Sequence, residues 1–426
     1  LRFNGTIGYS GVDILPSYPG FAGPVIRLQT NARELITSYG SMDSLRSVYV
    51  TLGGKFTDQQ TFYTLAKITL FPDTATLVVP SAWSSIRQAT GVAIDGDTVL
   101  VEPGTYTGML NSNFWVYSDF ILRSTGGPDS TIIDCQWTWF IQAVDSVPGT
   151  VVIDGFTITN AYDPTNAAID FTGKSLDIRN CVLKYNRGDG VGGAISVVDG
   201  ALSVDGCVFT GNRAATGAAI AQGGSSDLTN LPTQITRSTF YGNAADSVTA
   251  GGIIHVYNST VYPKLHKNII AYNRSSQTVR SDGNVPSEIT YNDIYGNSGG
   301  DWAGPLAVML GQDCNMSENP LFCDTAAADF HLDGLSPCLA VNNECGQLMG
   351  AYGMGCGFVC GDINADLTIN IADAVYVIAY IFRGGPPPEN FIAADLNANG
   401  ELDVADAVII INYIFRGGPH PDCQSD

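Results

Sequence analysis

Val204-Asp-Gly-Cys-Val-Phe-Thr-Gly-Asn212 decides the fold, because the chain repeats it. Upstream stand Ile153-Asp-Gly-Phe-Thr-Ile-Thr-Asn160 and Ile178-Arg-Asn-Cys-Val-Leu-Lys-Tyr-Asn186. Downstream follow Ile235-Thr-Arg-Ser-Thr-Phe-Tyr-Gly-Asn243, Leu265-His-Lys-Asn-Ile-Ile-Ala-Tyr-Asn273 and Ile289-Thr-Tyr-Asn-Asp-Ile-Tyr-Gly-Asn297. The closing Asn returns after 26, 26, 31, 30 and 24 residues. Between successive Asn positions lies a second element: Gly193-Ala-Ile-Ser, Gly217-Ala-Ala-Ile and Gly252-Ile-Ile-His. Repetition at this period is the signature of a solenoid, in which each coil buries one face against the next. Alternating apolar residues point inward, Gly turns the tight corners, and Asn sits at the bends where its amide can bond the neighbouring coil. Cys181 and Cys207 hold equivalent places in adjacent coils. They either bridge or stack as buried thiols, and the second is the reading preferred here.

Working outward, Trp83-Ser-Ser-Ile86 opens a short amphipathic helix with Ile86, Ala89, Ala93 and Ile94 on one side. It runs into Asp95-Gly-Asp-Thr-Val-Leu-Val-Glu-Pro-Gly-Thr-Tyr106. This pairing resembles the opening of secreted right-handed parallel β-helix proteins. The resemblance implies a helix capping the open end of the solenoid and a first rung at 97–101. Gly126 to Asp134 fits the next rung. Pro320-Leu-Phe-Cys-Asp, Ser336-Pro-Cys338 and Gly346 to Ala351 resemble the end of the same family, with Gly353 to Cys360 as a linker. The expected fold class is therefore mainly β, a parallel β-helix solenoid over 73–358. An N-terminal β module over 1–72 precedes it. There Val48 to Leu52, a Gly53-Gly54 turn, Lys55-Phe-Thr and Thr61 to Thr69 read as an antiparallel meander resembling a small OB-like barrel. Tyr9, Tyr18 and Phe21 lie among Gly and Pro in a segment with the look of an extended arm, either a plain cap or a contact to another subunit.

Residues 359–426 form the third expected part. Asp362-Ile-Asn364-Ala-Asp366-Leu-Thr368-Ile-Asn370-Ile-Ala-Asp373 and Asp395-Leu-Asn397-Ala-Asn399-Gly-Glu401-Leu-Asp403-Val-Ala-Asp406 are two copies of one text, 33 residues apart. Oxygen-bearing side chains fall at positions 1, 3, 5, 9 and 12, and Thr368 or Glu401 at position 7 offers a backbone carbonyl. A hard cation with six or seven oxygen ligands needs that spacing, and it is the EF-hand loop pattern for Ca²⁺. No helix signal precedes either loop, position 12 is Asp, and an apolar helix follows each copy. This arrangement resembles a type I dockerin module. The resemblance implies one Ca²⁺ per loop, two antiparallel helices and a docked protein partner. Two departures stand out. Leu367 occupies position 6 of the first loop, where Gly is preferred. Positions 10 and 11 are Ile371-Ala372 and Val404-Ala405, where cellulosomal dockerins carry hydroxyl residues facing the cohesin; that leaves the partner's identity open.

Composition sets outer bounds. Among 426 residues only 14% are charged, Gly numbers 48, and the net charge is −21. Such a chain suits a turn-rich β protein and argues against nucleic-acid or anionic-membrane partners. No apolar run is long enough to cross a bilayer. The chain opens at Leu1 without a basic-then-apolar leader, as a processed secreted or cell-surface protein would. Seven of its ten cysteines, Cys314, Cys323, Cys338, Cys345, Cys356, Cys360 and Cys423, crowd the C-terminal third. Without Cys-x₂-Cys pairs and with four histidines, disulfides fit better than zinc.

A catalytic set is not legible. Arg187, Arg213 and Arg274 each follow a bend Asn, which reads as an exposed ladder. His255, His266, His331 and His420 stand without a visible partner, and no clustered acid and base can be placed. Asn258-Ser-Thr, Asn273-Arg-Ser and Asn315-Met-Ser fit glycosylation acceptors. The reading is a non-catalytic extracellular scaffold held by its calcium module to a partner protein or to the next copy of itself, giving a filament. The alternative is a polysaccharide lyase, hydrolase or carbohydrate-binding adhesin carried on a dockerin-like tag, its cleft formed by the segments 221–232, 244–250 and 275–287.

Overall fold

The computed structural model describes residues 12–14, 26–28, 47–55, 61–69 and, apart from short gaps such as 225–231, 248–250 and 283–287, residues 76–423. The arm around Tyr9, Tyr18 and Phe21 lies outside the described residues, as does any barrel closure in 1–72. Within that region Ser47–Lys55 pairs antiparallel with Thr61–Thr69. The first of these strands runs straight through Gly53 and Gly54, so the expected turn is not there; the chain reverses after Lys55 instead.

From Thr76 onward the chain winds into a parallel β-solenoid of about ten coils. Its strands stack into three sheets of 14, 8 and 4 strands among the described residues. Alternation in the sequence becomes alternation in space. Ile153, Ile178, Val204, Ile235, Leu265 and Ile289 form one buried column, in register from coil to coil. Phe209 and Phe240 stack at 4.7 Å in the next. Helix α1 (Ile86–Thr90) closes the N-terminal end, capped by Ser85 and burying Ile86 and Ala89 against the first coils. Without that lid the first coil would expose an apolar cross-section to water.

Two ladders of side chains hold the coils in register. In the first, Asn186 Oδ1 accepts from the Ala161 backbone N–H at 3.0 Å, and its Nδ2 donates to Asn212 Oδ1 at 3.1 Å. Asn212, Asn243, Asn273 and Asn297 repeat this upward, ending on Asp301. Each Asn also donates to a strand carbonyl of the preceding coil, as Asn243 Nδ2 does to Phe209 O at 2.9 Å. The ladder starts at Ala161, not at Asn160. Strand register sets Thr159 opposite Lys184, so Asn160 occupies the left-handed corner equivalent to Tyr185.

The second ladder changes its chemistry as it climbs. The backbone N–H of Phe156 donates to Cys181 Sγ, that of Cys181 to Cys207 Sγ, and that of Cys207 to Ser238 Oγ. Asn268, Asn292 and Asn315 continue it. Cys181 and Cys207 are thus stacked, buried thiols, and burial pushes the Cys207 thiol well up from its ordinary value. Asn273 and Asn315, 2% and 3% exposed, are fixed inside these ladders and closed to glycosylation in the folded chain, while Asn258 is exposed.

Past Asn315 the chain folds back over the sheet that ends with Asp293–Tyr295. Phe322–Asp324, Asp329–Asp333 and Met354–Cys356 form a small sheet, and Leu332, Leu339 and Met349 pack on Ile269 and Ala271. Cys314 bonds Cys345 and Cys323 bonds Cys356. The segment from Gly353 is therefore part of this cap and not wholly a linker. Cys338 is a correction: it is a free, buried thiol, donating to Asp293 Oδ2 at 3.3 Å. Pairing six of the seven clustered cysteines leaves it packed in the interior, where a thiol serves as a small apolar group.

Asp293 is itself wholly buried. Burial outweighs the hydrogen bonds from Glu318 N–H and Cys338 and raises its carboxyl to about 7. The folded chain then holds a proton that the unfolded chain releases near its ordinary value of 3.8. Native binding of the extra proton means that this contribution to stability declines as pH rises from about 4 to about 7. Asp293→Asn is expected to flatten that decline and to raise stability at pH 8 by several kcal/mol, at most about 4, in denaturant unfolding of both proteins across pH. Separately, Asn243→Ala removes the acceptor of two buried Asn212 donors and is expected to cost about 2–4 kcal/mol in the same measurement.

Candidate functional site

Each C-terminal loop builds its site from short polar side chains folded back on their own backbone. In the first, Asp366 N–H donates to Asp362 Oδ1 at 3.0 Å, and Ile363 and Asn364 N–H to Asp373 Oδ1 at 2.8 and 3.1 Å. In the second, Asn399 N–H donates to Asp395 Oδ1 at 3.1 Å and Leu396 N–H to Asp406 Oδ1 at 2.9 Å. In both loops the amide at position 5 bonds the carboxylate at position 1, and the amide at position 2 bonds the carboxylate at position 12. Gly400 takes φ +81° at position 6 of the second loop, the left-handed turn that Gly makes without strain. Leu367, its counterpart, lies outside the described residues.

Positions 9 and 12 also start the helices. Asn370 Oδ1 accepts from Ala372 N–H at 2.8 Å while Asp373 Oδ2 accepts from Asn370 N–H at 2.8 Å, a reciprocal capping box at the head of α2 (Ile371–Arg383). Asp403 and Asp406 repeat it for α4 (Val404–Arg416), after the short α3 (Phe391–Ala394). Such boxes satisfy amides that a helix leaves bare, and each carboxylate lies at the positive end of the helix dipole. Gly384 and Gly417 end the two helices in the left-handed conformation.

The electrostatics are those of a cation site. Asp362, Asp373, Asp395 and Asp406 are buried, the second and fourth completely. Among the described residues no basic side chain pairs with Asp373 or Asp406. Burial raises the Asp406 carboxyl above its ordinary range, and the charges of Asp395 and Asp403 raise it further. Hydrogen bonds from Thr368 and Asn364 hold exposed Asp366 below that range. No three acidic, histidine or cysteine side chains converge on a point among the described residues. A set mixing two or three carboxylates with Asn oxygens and a backbone carbonyl does not require them to, and hard oxygen donors of that kind suit Ca²⁺. Asp362, Asn364, Asp366, Thr368, Asn370 and Asp373 in one loop, and Asp395, Asn397, Asn399, Glu401, Asp403 and Asp406 in the other, therefore fit the ion that the spacing calls for.

Below the loops, Ala374 and Val377 of α2 meet Ala407 and Ile410 of α4 in a small core shared with Ile363 and Leu396, and Cys360 bonds Cys423 to join the ends of the segment. The other side of each helix is apolar too, and uncovered. Ile371, Val375, Ile378 and Phe382 line α2 at helical spacing, with Val404, Val408 and Phe415 in the matching places on α4. Residues that large and that exposed on a small unit mark a contact surface.

Elsewhere the histidines are less solitary than their sequence context implies. His255 Nδ1 stands 2.9 Å from Thr216 Oγ1, His266 Nδ1 2.7 Å from Thr290 Oγ1, and His331 Nδ1 2.6 Å from Asp329. His420 Nδ1 meets the Pro421 carbonyl. Arg187 pairs with Asp189, and Arg213 and Arg274 share Asp246, the expected exposed ladder.

Residues 360–415 match the type I dockerin domain. No curated protein matches the chain. Dockerins of this type bind calcium and attach to a cohesin partner, which places a protein-docking function in this segment. No helix among the described residues is long and apolar enough to cross a membrane.

The capping boxes make a prediction independent of any ion. Asn370→Ala is expected to cost about 1 kcal/mol of helix stability, and Asn370→Asp to retain it, in unfolding followed by far-ultraviolet circular dichroism with chelator present throughout.

Proposed function

We propose that this chain is a non-catalytic extracellular scaffold. In this reading it consists of an N-terminal module (1–72), a solenoid rod (73–358) and a calcium-loaded docking module (359–426). The carrying observation is the duplicated loop and helix, in which the buried Asp373 and Asp406 cap the heads of two helices that carry exposed apolar stripes. Each loop takes one Ca²⁺. The ion neutralises carboxylates that otherwise repel one another, and so fixes the heads of α2 and α4. What calcium supplies is order, and the ordered helices present Val375, Phe382, Val408 and Phe415 to the partner. Ile371-Ala372 and Val404-Ala405 make the surface apolar beside each loop, so the partner's complementary face is apolar there as well. Three disulfides support an oxidising, extracellular setting.

Asp362→Ala combined with Asp373→Ala is expected to lower calcium stoichiometry from two to one by isothermal titration; unchanged stoichiometry would refute the ligand assignment. Val375→Asp with Val408→Asp should abolish capture by an immobilised cohesin domain and leave calcium uptake intact. Docking onto another copy of the chain is the other occupant of the stripes. Large species in calcium that dissolve in chelator, seen by light scattering of the pure protein, would show it.

A further inference from the structure

Asparagine followed by glycine can change its own covalent structure without an enzyme. The backbone nitrogen of the second residue attacks the side-chain amide carbon of the first, and the absent Cβ leaves that backbone free to reach it. The chain carries the pair twice, at Asn4-Gly5 and Asn399-Gly400. Asn4 lies outside the described residues. Asn399 and Gly400 are positions 5 and 6 of the second acidic loop, both exposed to water. The other loop amides precede bulkier residues, in Asn364-Ala365, Asn370-Ile371 and Asn397-Ala398. At position 5 the first loop already carries a carboxylate, Asp366.

The folded loop occupies both reacting groups. Gly400 N–H donates to Asp395 Oδ2 at 2.8 Å, and Asn399 Oδ1 accepts from Glu401 N–H at 2.7 Å. Asn399 N–H is tied as well, to Asp395 Oδ1 at 3.1 Å and Asn397 Oδ1 at 3.0 Å. An amide whose hydrogen is bound to a carboxylate gives up that hydrogen less readily, so Asp395 restrains the nucleophile. The bond from Glu401 fixes the direction of the carboxamide, and with it the carbon to be attacked. Asp395 is buried, but the pair it restrains is not. Beyond its chain neighbours, no heavy atom stands within 4 Å of the place a Gly400 Cβ would take, so nothing packs the turn down. Reaction therefore waits on the local opening of one short, exposed turn.

We propose that Asn399-Gly400 is a self-deamidating site whose rate is set by calcium occupancy of the second loop. The inference rests on the calcium reading above, in which Asp395 and Asn399 are both ligands. An ion on their oxygens adds its binding energy to the cost of opening the turn. Without it the turn opens, Gly400 N loses its proton to solvent base and bonds to Asn399 Cγ, and the Cγ–Nδ2 bond breaks with release of ammonia. Water then opens the five-membered succinimide. Attack at Cγ leaves aspartate; attack at the main-chain carbonyl leaves isoaspartate, with the backbone running through Cγ. In sum an amide and a water become a carboxylate and an ammonium ion, and no further reactant enters. The two products act in opposite directions. Aspartate keeps the spacing and gives the second loop the position-5 carboxylate that Asp366 gives the first. Isoaspartate lengthens the backbone between positions 5 and 6 by a methylene and takes Gly400 out of register with Asp395.

The test incubates the full chain at mildly alkaline pH with calcium or with chelator, followed by trypsin digestion and mass spectrometry. Cleavage after Arg383 and Arg416 releases a single peptide holding Asn399 together with Asn397, the internal control. In chelator Asn399 is expected to gain the mass of an amide-to-acid change well ahead of Asn397, with isoaspartate marked by isoaspartyl methyltransferase. Calcium at about ten times its dissociation constant is expected to slow this by roughly tenfold, the factor by which binding depletes the open loop. Asn399→Gln, whose longer side chain does not close the five-membered ring, should give no signal at that position. Equal rates at Asn399 and Asn397 would overturn the proposal. So would a rate unchanged by calcium while isothermal titration shows both loops loaded. Absence of bound calcium in that titration would defeat the calcium reading itself, and the calcium control with it.

Discussion

The fold depends on one interaction repeated along an axis: the carboxamide of Asn bridging neighbouring coils. A solenoid coil has no partner except the coils above and below, so its register must be fixed pairwise at each step. Apolar stacking alone does not fix it, since Ile on Val tolerates sliding. The Asn ladder does. Each amide uses its oxygen for the previous coil's backbone and its nitrogen for the next coil's oxygen, as Asn212 does with Asn186 and Asn243. In a wholly buried site each such group is costly to leave unmade, so the corners are where a wrong register is penalised most.

The second ladder shows that the requirement is geometric rather than tied to one residue type. Cys181, Cys207, Ser238 and Asn268 all supply an acceptor to the backbone N–H one coil back. Thiols serve toward the N-terminal side and amides toward the cap. Nothing in the structure explains why the change falls at Ser238. The docking segment uses the same economy on a smaller scale. Asp373 and Asp406 accept from loop amides and close a capping box, which accounts for an Asp, not a longer Glu, so close to the helix start.

What was legible in the sequence follows from how local each signal is. The coil repeat, the capping helix and the two helices that follow the acidic loops are written in contiguous residues, and the structure places them as read, with the ladder shifted one residue at Asn160. Gly53-Gly54 misled because a Gly pair permits a turn without requiring one, and strand pairing across 47–55 prevails. Cys338 misled because cysteine counting sees neither burial nor distance. The line in which parallel register sets Trp115, Gln142, Asp170, Ser196, Ala221, His255 and Arg280 was hidden for a deeper reason. Its successive members are 25 to 34 residues apart in sequence, and only the coil lengths, which vary from turn to turn, bring them into file. His255 looked solitary because its neighbours Thr216 and Arg280 belong to other coils.

Rigid register gives a row of side chains its meaning. Across the line from Trp115 to Arg280 the spacing of functional groups is set by backbone hydrogen bonds between strands, not by the side chains themselves. The docking segment works the other way. Its loops gather carboxylates that resist being gathered, and the capping boxes are the local contacts that hold them at the heads of the helices. One part of the chain is ordered by its own repetition, and the other, in the function proposed for it, is completed by calcium. In that reading a change in calcium acts on the docking helices and leaves the ladders of the solenoid untouched, since those are made within the coils themselves.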